Sequence, residues 1–217
     1  MTAAILRERA GLRWYGLAVL YAVGGYAFGL AGLFSDSWII NLGATLLLAH
    51  AMIIAAYLIH ECGHNLVFRR QRDNTRLGRF MSWLSGAAYG TYEDMRYKHM
   101  RHHVDNCEPV TFDYRGWLKR HPRTEKLVNA LEWAYIPAVE LLMHGMQLVA
   151  PFVYEDKKDQ RARVLRVALT RLALFVMIAW FSPAAAAGYV MAYLLFLTFL
   201  RFLDNFQHSY EIFYRLN

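Results

Sequence analysis

The sequence predicts an all-α membrane protein: four transmembrane helices, arranged as two hairpins, beneath a cytosolic or interfacial helical cap that carries clustered histidines. Three observations predict it. Hydrophobic residues make up 57% of the 217 residues and charged residues only 19%, which is too apolar for an ordinary soluble domain. The apolar residues are gathered into uncharged runs close to the roughly 20 residues that cross a bilayer. The basic residues gather elsewhere: most of the 24 Lys and Arg lie between His64 and Arg163, and none falls in 34–37 or 182–187.

The first run, Trp14 to Phe34, and the second, Trp38 to Ile59, are separated only by Ser35-Asp36-Ser37. They predict spans over 14–34 and 38–59 joined as a hairpin. The first run exceeds the 7–15-residue apolar core typical of a secretory signal and lacks a convincing cleavage site, so it reads as a membrane anchor. The third tract, Leu172 to Leu200, is uncharged but interrupted by Ser182-Pro183 and Gly188. With its flanks it predicts two further spans, 164–181 and 184–204; one long tilted helix is the alternative.

Between the hairpins, Trp133 to Val153 is also apolar, but it contains Glu140, His144, Gln147, Pro137 and Pro151, each costly or disruptive inside lipid. As a span it would also carry Lys157, Lys158, Arg161 and Arg163 across the membrane. It therefore predicts an amphipathic helix or pair at the interface, anchored by Trp117, Trp133 and Tyr135. Arg7, Arg9 and Arg13 precede the first span, so the positive-inside rule puts both termini and the central segment on the cytoplasmic side. Every histidine cluster then lies on one face. No repeat, linker or low-complexity stretch divides the chain, which is taken as one domain, 1–217. Cys62 and Cys107 fall on that reducing face and read as plain thiols. The net charge of +7 suits anionic lipid or an acidic protein partner. Nothing in the pattern sets apart a nucleic-acid platform.

Six of the nine histidines fall in three constellations. In His60-Glu61-Cys62-Gly63-His64 the two imidazoles are four apart and share a helix face. In His99-Met100-Arg101-His102-His103 the positions i, i+3 and i+4 again share one. The third is Asp204-Asn205-Phe206-Gln207-His208, with Asp204 one turn before His208 and placed either to ligate or to orient a ligand or a metal-bound water. Five or more histidines exceed what one tetrahedral zinc takes, which suggests two metal ions, and imidazole suits iron. Glu61 reads as a partner that orients a ligand. His50 lies about 15 Å deeper along its helix than His60 and reads as a hydrogen bond between helices, with a place along a substrate tunnel as the alternative. His144 reads as bonded to Glu140, and His121 as solvated.

The boxes H-E-C-G-H and H-M-R-H-H resemble the first two histidine boxes of the membrane fatty acid desaturase family. The resemblance continues through Val104-Asp105, Thr111-Phe112-Asp113-Tyr114-Arg115 and the stretch from Phe202 to Glu211. It implies a non-haem di-iron centre, four spans under a cytosolic cap, O2 as co-substrate and an acyl chain (acyl-lipid or acyl-carrier) into which a double bond is introduced. It also implies His60, His64, His99, His102, His103 and His208 as metal ligands, with Asp204 touching the centre directly or through water. Members carry a further H-x-x-H-H box, and here the chain ends at Asn217 without one. Three family ligands are therefore missing, and this polypeptide alone is not expected to hold two irons competently.

Three other readings stay open. His60-Glu61-x-x-His64 also fits an H-E-x-x-H intramembrane zinc metalloprotease, with Glu61 as general base and Asp204 as third ligand. A related di-iron lipid hydroxylase would use the same oxidant, and a non-enzymatic scaffold would hold no metal. No C-x-x-C, C-x-x-C-H or G-x-G-x-x-G motif is present, so a separate ferredoxin-like or cytochrome b5-like electron donor is expected, drawn by Arg69, Arg70, Arg72, Lys119 and Arg120.

Overall fold

A computed structural model describes residues 11–105 and 112–207. Helices α1 (Gly11–Gly32) and α2 (Trp38–Gly63) form the first hairpin. The cap follows as α3 (Gln71–Leu84), α4 (Tyr92–Asp105), α5 (Tyr114–Arg120), α6 (Pro122–Trp133) and α7 (Ala138–Val153). The second hairpin is α8 (Arg161–Phe181) and α9 (Pro183–Gln207). Among the described residues there is no strand, and four helical stretches are long and apolar enough to cross a membrane: Arg13–Gly32, Trp38–Gly63, Glu155–Phe181 and Pro183–Phe202. The protein is an all-α membrane protein.

The single-helix alternative for the last tract does not hold. Ser182 is extended (φ −155°, ψ 103°), its hydroxyl accepts the Ala185 N–H at 3.1 Å, and Pro183 starts α9 where a missing N–H costs nothing. The chain therefore stops one helix and caps the next within two residues. The other boundaries also move: α2 continues through His60 to Gly63, and α9 runs on to Gln207.

Helix α2 is the inner one. Of its apolar window 56% is buried, against 11% in the α8 stretch, so α8 faces lipid with one side and α2 forms the core of the bundle. Leu48 and Met52 of α2 pack with Leu33 and with Ala185, Ala192, Phe196 and Leu197 of α9. Small residues let the helices approach closely, as packing within lipid requires. Trp14, Phe28, Trp180 and Phe181 are exposed and suit a hydrocarbon surround.

The cap is tied to the bundle by polar clamps. Arg163, at the start of α8, donates to the carbonyl of Ala88 at 2.9 Å, fastening the 3-10 turn Ala87–Tyr89. Arg201 of α9 pairs with Glu132 of α6 and, at 3.6 Å, with Glu140 of α7. Trp133 and Tyr135 are exposed. Trp117 is half-buried, stacks on His121 with ring centroids 4.3 Å apart, and packs with Leu118 and Val128 inside the cap.

Candidate metal centre

The first two histidines are placed by the way α2 ends. Asn65 takes a left-handed conformation (φ 57°), the Asn65 N–H reaches the Cys62 carbonyl at 3.0 Å, and the Leu66 N–H reaches Glu61 at 3.0 Å. This is a Schellman closure with asparagine at the left-handed position. His60 thus stays in the last helical turn while His64 caps it. Behind them, buried Asn74 holds the loop: its carboxamide oxygen accepts the Phe68 N–H at 3.0 Å and its nitrogen donates to the Phe68 carbonyl at 2.8 Å.

The second pair arrives on α4. Thr91 caps this helix, its hydroxyl accepting the Asp94 N–H at 3.0 Å. Buried Tyr92 packs with Cys62 and Met81, and Arg96 donates through Nε to the Gly63 carbonyl at 2.8 Å. The Arg79–Glu93 pair, at 2.6 Å, adds a tie between α3 and α4. Helix α4 is thereby fixed against the C-terminal end of α2, with His99 and His103 turned towards His60 and His64.

The four rings converge. Nε2 of His64 lies 2.8 Å from Nε2 of His99, which lies 3.1 Å from Nε2 of His103. Ring centroids are 4.5 Å apart for His60 and His99 and 4.9 Å for His64 and His103. One ligand atom from each of the four residues falls within 4.8 Å of all the others, a set that can hold a metal ion. His60, His64 and His99 are half-buried and His103 is exposed. Burial holds the His64 imidazole below its ordinary pKa, and the neighbouring His60 and Arg96 lower it further against the opposing pull of Glu61. A neutral imidazole keeps its lone pair for a metal, so the donor set fits a histidine-ligated centre.

Glu61 points to a different task from the rings. One carboxylate oxygen accepts the Tyr15 hydroxyl at 2.8 Å and the other stands 3.6 Å from His60 Nδ1. His102 lies on α4 and Asp204 in the last turn of α9, with their side chains outside the described set; His208 and Cys107 lie outside the described residues. His50 is exposed on α2 and shares a 2.7 Å hydrogen bond with Tyr21 of α1; it lines neither cavity described below.

A cavity of about 400 Å³ opens beside the rings, lined by His60, His99, Tyr92, Glu140, His144 and Phe196 among others. Sequence reasoning did not place Glu140 and His144 there. Their one-turn spacing was visible, but not that His144 Nδ1 bonds the Glu140 carbonyl at 2.8 Å while the ring faces the cavity.

Residues 36–216 match the family described as fatty acid desaturase. The chain belongs to this family. The matched stretch spans all three histidine constellations and all the helices but α1. No curated protein and no solved structure matches the chain. Family membership implies a desaturase-type oxidoreductase in a membrane setting, acting on acyl lipid, and the family's centre is generally di-iron.

The lowered pKa values carry a pH prediction. Burial also lowers the His144 pKa, its bond to the Glu140 carbonyl opposing in part. With folded-state pKa values below the ordinary 6.5, the unfolded chain binds protons that the fold resists, so metal-free stability is steady above that value and falls as pH drops beneath it. Thermal unfolding of the metal-free protein across that range should show the decline; a melting temperature that rises on acidification would contradict the assignment.

Proposed function

We propose that this protein is a membrane di-iron desaturase that uses O2 and electrons from a separate donor to introduce a double bond into an acyl chain. The observation that carries it is the convergence of His60, His64, His99 and His103 from two helices against a largely apolar cavity. His102 and His208 join the proposed ligand set, with Asp204 beside it, touching the centre directly or through water. Iron, when bound, supplies the oxygen activation needed to remove hydrogen from an unactivated alkyl chain.

The remaining work falls to the chain's own residues. The four imidazoles bind as neutral donors. Glu61, held by Tyr15, orients His60, and Arg96 keeps α4 and its histidines against α2. The apolar cavity wall excludes water and lays methylene groups beside the rings. The basic residues of the cap, Arg69, Arg70, Arg72, Lys119 and Arg120, offer an acidic ferredoxin-like or cytochrome b5-like donor a docking face, which we place on the cytoplasmic side.

The zinc-protease reading is less well supported, because Glu61, its general base, is engaged by Tyr15 and His60 and because the second histidine cluster joins the first. Metal analysis of the purified chain, followed by chromatography of acyl chains after incubation with reductant and O2, tests the proposal. Binding of iron rather than zinc is expected, with any unsaturated product dependent on that iron. Stoichiometric zinc with peptide cleavage and no lipid product would overturn it.

A further inference from the structure

A second cavity, of about 700 Å³, lies between α1, α7, α8 and α9, with Tyr26, Leu148, Arg171, Phe175, Tyr189 and Tyr193 in its walls. It meets the first cavity at His144, which lines both. The His144 ring stands edge-on to Tyr193 with centroids 6.3 Å apart. Tyr193 is itself seated on Gly86, whose φ of 83° suits glycine and whose missing Cβ would stand 2.7 Å from the tyrosine ring.

Among the lining residues Arg171 is the one with a permanent charge. It sits within the α8 span, ten residues before Phe181 and so about 15 Å along the helix. An intramembrane cation of this kind is expensive and calls for a partner. Its Nη2 donates to the carbonyl of Trp83 at the C-terminal end of α3, and the guanidinium lies over the rings of Trp83 and Tyr89 at 5.4 and 5.8 Å. These contacts fix the group but leave most of its five N–H donors for something else. Nε is buried with no hydrogen-bond partner, and no carboxylate among the described residues pairs with Arg171.

A rigidly held, incompletely satisfied guanidinium at the wall of an apolar cavity suits one chemistry: an anionic head group attached to a hydrocarbon chain. We infer that this second cavity binds a lipid by its carboxylate or phosphate at Arg171, with the acyl chain running past His144 towards the histidine cluster. This rests on the desaturase reading for the destination of the chain, and on the cavity alone for the head-group contact.

The test uses the full chain, metal-free, in nanodiscs of phosphatidylcholine, with palmitate, methyl palmitate and dipalmitoyl phosphatidic acid as probes. Wild-type protein should bind palmitate or phosphatidic acid about tenfold or more tighter than the uncharged ester; which of the two wins identifies the source of the anion. Arg171→Gln should remove the preference and Arg171→Lys should keep part of it, with melting temperature as the folding control. Equal affinity of wild-type protein for palmitate and its ester would overturn the inference even if the variants fail to fold, and so would an unchanged preference in a folded Arg171→Gln. Because binding is read without metal, a failure to load iron or form product would count against the desaturase reading alone.

Discussion

Replacing His99 with alanine should strip the metal: iron per chain falls to background, and any product formation falls with it by at least about a hundredfold, since even partners one shell out from a metal cost 10–100-fold when removed. His99 is the hub of the cluster, with its ring within 4.7 Å of His60, His64 and His103 by centroid. It is only half-buried, so the variant should stay folded, with an unchanged helical circular dichroism signal. His121→Ala is the matched control, because that ring is exposed and stacks on Trp117 within the cap. Iron retained in full by His99→Ala, or lost equally from His121→Ala, would break the assignment. His64→Ala should behave as His99→Ala does, because its Nε2 faces that of His99 at 2.8 Å.

What could be read in advance and what could not divide along a physical line. Apolar runs, a serine–proline stop and histidines at helical spacing are local signals, and they located α1, α2, α8 and α9 and the two inner clusters. The position of the end of α2 turned on Asn65, whose left-handed conformation is also local, yet an asparagine after a histidine is a weak signal without the hydrogen bonds that give it purpose. Arg171 was the least legible residue: it reads as a charge at the edge of an apolar run, and its meaning depends on Trp83 and Tyr89, more than 80 residues earlier in the chain.

The same long-range dependence makes Gly78 the position where a small change should reach the metal. By helix propensity alone alanine would be favoured over glycine in α3 by about 1 kcal/mol. A Cβ at Gly78, however, would stand 2.1 Å from the ring of Tyr92, and Tyr92 is only 3% exposed among Cys62, Met81 and their neighbours. Overpacking of that kind costs about 1–3 kcal/mol and more where nothing can yield, so the propensity gain loses. The ring can move only by carrying α4 with it, and α4 carries His99 and His103. Gly78→Ala should therefore lower the melting temperature and loosen iron binding although it touches no proposed ligand. The Tyr92 hydroxyl is buried without a hydrogen-bond partner, so shortening this side chain forfeits packing but no hydrogen bond. Tyr92→Leu added to Gly78→Ala should accordingly recover part of the iron content. If the single variant kept its iron, or if the double variant bound no more than the single, the packing of α3 on α4 would not be what holds the second histidine pair in place.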